Sequence, residues 1–253
     1  MIFAIFGDVE GNLEIMFKLC TDYQQKNNTE IDLVLQVGDM GLWTSLDRLD
    51  TKKQKSYQKV NTQFITDYLN ADRRPPVETW FIHGNNENFE LLYKNQNKYV
   101  DEGKKLFFVA PGKVKKFQKY SKAVTIAGLG GMEYRFGKHP LPSDDLVQKY
   151  LHPDALHQLA NRKQRPDILL MHDAPLNKGL KNKFPTGSKR ITELIEKLQP
   201  HFLFYGHYDN PPKPFKIKST NCVGMNFKVS DKKQNHQPAM GILNTDNWHF
   251  EFV

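Results

Sequence analysis

Short apolar runs punctuate the chain at residues 2–6, 33–37, 79–82, 123–127, 168–171 and 202–205, and each stops at a turn of polar residues. Every run has the length of a strand, and an unbroken apolar run is the pattern of a strand covered on both faces. Between the runs the period changes to that of a helix. Over 13–26 the positions Leu13, Met16, Phe17 and Cys20 share one side, and behind a cap at Ser188 the positions Ile191, Leu194, Ile195 and Leu198 form an apolar stripe. Strand and helix in alternation predict βαβ units, a sheet with helices outside it.

Two stretches break this rhythm. Residues 46–69 are polar and lysine-rich before they become periodic, which predicts a surface helix pair or a lid over the first sheet, with its charges on a solvated face. The tail 220–253 alternates over 223–229 and again over 248–252, which predicts a terminal hairpin joined by the polar loop 230–238. No repeat, low-complexity tract or linker divides the chain, so residues 1–253 are read as a single domain, a length sufficient for one substantial core.

Composition narrows the partners more than the fold. At 39% hydrophobic residues a packed interior is expected and global disorder is not. A formal charge of +8 favours anionic partners, among them nucleic acid, nucleotide and phosphoprotein, without choosing between them. Cys20 and Cys222 are too few for a thiol-only zinc site, and a reducing, cytoplasmic location is expected. No stretch approaches the roughly 20 apolar residues of a membrane span, and the start lacks the basic, long apolar form of a signal peptide.

The chemistry lies where the apolar runs stop. Gly7-Asp8-Val9-Glu10, Gly38-Asp39, His83-Gly84-Asn85-Asn86-Glu87, His172-Asp173 and Gly206-His207-Tyr208-Asp209 each follow a predicted strand. In an open α/β sheet the carboxyl ends of the strands share one edge, where ligands bind. Glycine before Asp8, Asp39, Asn85 and His207 lets the chain turn sharply and aim the next side chain over that edge. Singly, an Asp after a strand is commonly a turn or helix cap, a His commonly a structural hydrogen-bonding residue, and Gly-Asn a turn. Strand after strand ending in a ligand-type residue points instead to a metal centre. Mixed carboxylate, amide and imidazole donors suit Mn²⁺, Fe²⁺, Zn²⁺ or Mg²⁺.

In this order the residues resemble the calcineurin-like metallophosphoesterase family. Its pattern of Asp-x-His, Gly-Asp, Gly-Asn-His-Asp/Glu, a lone His and Gly-His-x-His reads here as Asp8-Val9-Glu10, Gly38-Asp39, Gly84-Asn85-Asn86-Glu87, His172 and Gly206-His207-Tyr208-Asp209. The resemblance implies a four-layer αββα sandwich of two mixed β-sheets flanked by helices. It also implies a dinuclear centre of two divalent ions about 3.5–4 Å apart that activates a water for attack on phosphorus. Asp8 would then serve the first metal, Asp39 would bridge, and Asn85, His172 and His207 would serve the second.

Three positions depart from that pattern. Glu10 and Asp209 replace histidines of the first metal; as carboxylate ligands they would favour Mn²⁺ or Mg²⁺ over Zn²⁺, and if their different lengths prevent coordination the first metal is weak or absent. Asn86 replaces the histidine that contacts phosphate and protonates the leaving group, and an amide cannot deliver a proton. His83 precedes the turn and is expected to face the core rather than substitute. The resulting expectation is a metal-dependent phosphoric ester hydrolase, phosphodiesterase before phosphatase, acting on an anionic phosphate ester through Asp39, Asn85, Asn86 and His172. The rival is a binding or scaffold protein that keeps the fold after losing hydrolysis.

Overall fold

The computed structural model describes residues 1–47, 60–134, 147–176, 187–208, 211, 213–226 and 240–253. Two six-stranded mixed sheets lie face to face. The first is built from β1 (Ile2–Phe6), β2 (Leu33–Gln36), β3 (Thr79–Phe81), β4 (Leu106–Phe108), β11 (Gly241–Asn244) and β12 (His249–Phe252), in the order β12-β11-β1-β2-β3-β4. The second is built from β5 (Val114–Lys119), β6 (Lys122–Leu129), β7 (Ile168–Met171), β8 (Phe202–Tyr205), β9 (Phe215–Ile217) and β10 (Thr220–Gly224), in the order β5-β6-β7-β8-β10-β9. Within the first sheet β1 to β4 are parallel; within the second β6, β7, β8 and β10 are parallel.

Alternation of side chains explains why the strands read as continuous apolar runs. Phe3 and Ile5 point into the layer between the sheets, where they meet Leu170, Phe204 and Val223 of the other sheet. Ala4 and Phe6, one residue out of phase, face a helical layer of α1 (Leu13–Asn27) and α2 (Thr62–Leu69). The second sheet repeats the arrangement: Leu169, Met171 and Leu203 pack on α4 (Pro153–Ala160) and α5 (Lys189–Leu198). Both faces of each sheet are therefore covered, as the parallel strands require. A short helix, α3 (Phe89–Lys94), follows β3.

Local chemistry starts the helices where the chain leaves the sheets. The Ser188 hydroxyl accepts from Ile191 N at α5, as expected from the sequence, and Asn61 and Asn88 cap α2 and α3 in the same manner. Pro153 opens α4, where its missing N–H costs nothing. Of the stretch 46–69, α2 is seen with Ile65, Tyr68 and Leu69 buried; residues 48–59, on which the rest of the expected helix pair or lid falls, lie outside the described residues.

The tail corrects the expected hairpin. Strand β10 does not pair with the last strand but lies in the other sheet, against β8 and β9. The hairpin is β11 with β12, closed by Thr245 to Trp248, where Asn244 Oδ1 accepts from Asp246 N and Asn247 Oδ1 from His249 N. Those side-chain bonds mark a tight turn that a longer loop over 230–238 would not need. Residues 227–239 lie outside the described residues. No helix among the described residues is long and apolar enough to cross a membrane.

Candidate metal centre

The parallel strands bring their carboxyl ends to one edge, and the turns there are tied together before any side chain is aimed. Buried Gln36, the last residue of β2, donates through Nε2 to Gly7 O at 2.9 Å and to Gly38 O at 2.5 Å, and accepts from Gly38 N at 3.0 Å. One amide thus fixes the turn after β1 to the turn after β2. Beyond them, Asp8, Asp39 and His172 each offer a donor atom within 4.8 Å of the other two. His172 Nε2 lies 3.7 Å from Asp39 Oδ1, and its Nδ1 3.9 Å from Asp8 Oδ1.

The imidazole of His172 is oriented on both sides. Nδ1 is 3.0 Å from Val37 O, so that nitrogen carries the proton, and Nε2 faces Asn85 Oδ1 at 2.9 Å. A protonated ring donates from Nε2 to that amide oxygen; once the proton leaves, Nε2 and the oxygen are two adjacent acceptors that a cation would take. His207 approaches through its main chain, whose N–H donates to both oxygens of Asp8 at 3.0 and 3.1 Å, while its ring lies edge-on to His172 with centroids 5.1 Å apart.

Glycine is required where the candidate ligands pack closest. A β-carbon on Gly84 would overlap Asp39 Oδ1 and lie 2.7 Å from its carboxyl carbon; one on Gly206 would overlap Asp8 Oδ1. The side chains are aimed at a backbone cost: Glu10 (φ 49°), Asp39 (φ 54°) and His207 (φ 67°) all adopt the left-handed region.

The turn carrying Asp39 and the turn after β3 (Thr79–Phe81) hold each other reciprocally. Asn86 donates its main-chain N–H to Asp39 Oδ1 at 2.6 Å and its Nδ2 to Oδ2 at 2.8 Å. In return the buried carboxylate of Glu87 accepts from Met40 N at 2.7 Å, Gly41 N at 3.1 Å and Gly84 N at 3.3 Å. The sequence motif contained Glu87 without indicating this bracing role.

Negative charge dominates this cluster. Burial pushes the Asp8 carboxyl up to about 7, with Asp39 and Glu10 adding to the push and His172 opposing it. Burial, and then Asp39, push Glu87 up to about 8. Burial pulls His172 downward, but the neighbouring Asp39 and Asp8 outweigh it and hold it above its ordinary value. Crowded carboxylates, an amide oxygen and an oriented imidazole are the donor set of a hard or borderline divalent ion. The residues present fit such an ion.

The expected residues do not all converge equally. Asp8, Asp39, Asn85 and His172 come together; the Glu10 carboxylate and the His207 imidazole are not in the group of three, and Glu10 is exposed. Asp209 lies outside the described residues. His83 faces the core as expected: it is buried against Phe89, Tyr93 and Phe108, and burial lowers it to about 4, a neutral ring. A further network supports the His207 side. Tyr208 donates to Asp173 Oδ1 at 2.7 Å and accepts from Gly187 N at 3.1 Å, Asp173 Oδ2 accepts from Glu133 N at 2.8 Å, and Glu133 holds Arg190 and Ser188. The Met171-His172-Asp173 and His207-Tyr208 strings hinted at this; Glu133 carried no sequence signal.

Comparison with known proteins agrees with this geometry. A family model described as calcineurin-like phosphoesterase matches residues 1–209. The chain is similar to the lariat debranching enzyme of Arabidopsis thaliana, at 26% identity over 82% of this chain and 54% of that protein. It is also similar to lariat debranching enzyme A of Xenopus laevis, at 25% identity over 98% of this chain and 51% of that protein. It therefore spans about half the length of these relatives. Among solved structures, TT1561 of Thermus thermophilus superposes with a TM-score of 0.57 over 100% of this chain and 97% of that one, at 15% identity. GAP50 of Plasmodium, described as the anchor in the inner membrane complex, superposes with a TM-score of 0.54 over 96% and 81%, at 13% identity. At those identities the structures share the fold, two mixed sheets flanked by helices. With a family model over most of the chain and strand ends that gather carboxylates around an oriented imidazole, the chain belongs to the calcineurin-like phosphoesterase family of metal-dependent phosphoric ester hydrolases.

Proposed function

We propose that residues 1–253 form a single phosphodiesterase domain that works with two divalent ions, Mn²⁺ foremost, on a phosphodiester of nucleic acid. The observation that carries this reading is the approach of Asp8, Asp39 and His172 within 4.8 Å at the parallel strand ends, with Asn85 Oδ1 against His172 Nε2. Asp8 would hold the first ion, Asp39 would serve both, and Asn85, His172 and His207 would hold the second; Glu10, together with Asp209 outside the described residues, would add oxygen donors to the first, which is the argument for Mn²⁺. When bound, the ions supply an acidified water and neutralise charge on the phosphate. The chain's own part is orientation: Val37 O fixes the His172 tautomer, and Asn86 and Glu87 fix the Asp39 turn.

Two observations support nucleic acid as the substrate class. The relatives in the curated comparison are named for debranching lariats. The chain carries a formal charge of +8. A polyanion is attracted by such charge.

A second reading, a fold retained for binding after hydrolysis is lost, is favoured by Glu10 lying outside the group of three and by an Asn where a proton donor is expected. GAP50, an anchor, has this fold. The two readings part in one experiment: metal analysis of protein purified without chelator, with hydrolysis of an aryl phosphodiester and of branched and linear RNA in Mn²⁺. Turnover of the diester with bound metal is expected. Failure to hydrolyse any of the three with Mn²⁺ bound would overturn the enzyme reading, and higher activity with Zn²⁺ than Mn²⁺ would overturn carboxylate ligation of the first ion.

A further inference from the structure

We propose that Asn86 is a positioning residue for the bridging carboxylate of Asp39, not a group that acts on the substrate. This rests on the metal-centre reading above. At the place where the family's pattern has a histidine directed at phosphate, the shorter amide here turns to its neighbour. Its main-chain N–H and its Nδ2 donate one hydrogen bond to each oxygen of Asp39, at 2.6 and 2.8 Å.

The geometry gives this grip a function beyond local satisfaction. An ionised carboxylate has about four acceptor directions, two on each oxygen. Asn86 occupies one on each, which fixes the rotation of the carboxyl plane and leaves one direction on each oxygen for an ion. A bridging ligand needs that distribution. The Gly84 backbone also packs closely on this carboxyl, since a β-carbon there would overlap Oδ1. Glu87 completes the restraint by holding Met40 N and Gly41 N, so neither the side chain nor the turn of Asp39 can swing away from the turn that carries Asn86. Asn85, the residue between Gly84 and Asn86, meanwhile faces His172 Nε2 at 2.9 Å. Consecutive residues of one turn thus serve the same ions, Asn85 as ligand and Asn86 through Asp39.

Two consequences separate this role from a substrate contact. Truncating the Asn86 side chain removes one of the two bonds to Asp39, so it weakens metal binding whether or not substrate is present. Removal of a group that orients a metal ligand lowers affinity by about 10–100-fold. A substrate-directed Asn86 would instead leave the metal alone and change KM or the sensitivity of kcat to the leaving group.

The test is calorimetric titration of metal-free protein with Mn²⁺ for wild type, Asn86→Ala and Asn86→Ser, with circular dichroism to verify folding before titration. The serine variant retains a hydroxyl donor that is too short to reach Asp39 Oδ2, and it serves if the alanine variant folds poorly. At saturating Mn²⁺, kcat for aryl and alkyl phosphodiesters is then compared. The expected result is an Mn²⁺ Kd raised about 10–100-fold in the variants, with the aryl-to-alkyl ratio of kcat unchanged. An unchanged Kd with a raised KM or a larger aryl-to-alkyl ratio overturns the proposal. If wild type binds Mn²⁺ but hydrolyses nothing, the enzyme reading fails while the Kd comparison still decides the role of Asn86.

Discussion

Gly84 lies directly beneath Asp39, close enough that a β-carbon there would overlap Oδ1 and come within 2.7 Å of the carboxyl carbon. Its backbone would accept alanine in isolation; the space will not. Gly84→Ala is expected to cost about 1–3 kcal/mol, the range for overpacking a tight interior, and to reduce Mn²⁺ uptake because Asp39 must turn aside. Urea denaturation and metal titration of the variant check both effects, and normal uptake would show that Asp39 has room the structure does not grant it.

Bound metal should appear as stability. An ion present at a hundredfold excess over its Kd adds about 2.7 kcal/mol to folding, which for a chain of this size is about 5–10 °C in Tm. Thermal melts with Mn²⁺ and with EDTA should show that difference in wild type and little of it in Asp39→Asn or His172→Ala. Equal shifts in all three proteins would remove both residues from the centre.

Without metal the same carboxylates are a burden. The Asp8 carboxyl, pushed by burial to about 7 from an ordinary value of 3.8, favours the folded state when protonated. That contribution is complete below pH 3.8 and is lost as the pH rises through 7. In EDTA, wild-type Tm should fall between about pH 4 and 7 more steeply than that of Asp8→Asn, and Asp8→Asn should be the more stable protein at about pH 8. Parallel curves would mean that Asp8 ionises without penalty.

The two thiols should be silent in the folded protein. Cys20 and Cys222 are fully buried, and burial raises each to about 12, so the thiolate is scarce near neutral pH and shielded when present. A thiol reagent should label neither until denaturant is added and then label both. Rapid labelling in buffer would mean that α1 or β10 opens readily.

Tyr208 holds the turn that carries His207. Tyr208→Phe strips Gly187 N of its acceptor and Asp173 of a donor while leaving the ring, a loss of about 1–3 kcal/mol if the amide stays buried without a partner. Stability by urea denaturation, and a lowered affinity for Mn²⁺ through the loosened His207, are the readouts. A variant as stable as wild type would show that water takes over these bonds.

The legibility of the fold in the sequence followed burial. Strands such as Leu33–Gln36 and Ile168–Met171, apolar on both faces, could be located closely because both sheets are sandwiched. Strand β5 was hidden because it is a lysine-rich edge, Val114–Lys119, and its place is earned by packing that no periodicity reveals: Lys115 lays its ammonium 3.3 Å from the Phe107 ring centre and 4.8 Å from that of Trp80. Strands β4 and β9, three residues each, are too short to show a period. The tail misled because alternation indicates a strand without indicating its partner; the turn residues Asp246 and Asn247 held the better signal for the β11–β12 hairpin. At the centre, the residue types pointed to the candidate ligands Asp8, Asp39, Asn85 and His172, which the fold brings together, but not to their supports. Gln36, Glu87 and Glu133 act across long sequence separations, and only the folded chain brings them to the turns they hold.

The left-handed backbone at Asp39 and His207 ties two kinds of selection together. Aspartate, asparagine and histidine are the residues besides glycine that enter this region with least reluctance, and aspartate and histidine are also what a divalent ion asks for. Under the proposed ligand set, side chain and bend are one choice at these two corners, and a mutation that discards the side chain also tends to discard the bend. Glu10 shares the conformation without belonging to the tolerant residues, so its corner is the one where shape and chemistry can drift apart. Under the same assignment, change at position 10 has the easiest structural opening, while the Asp39 and His207 corners resist change twice over.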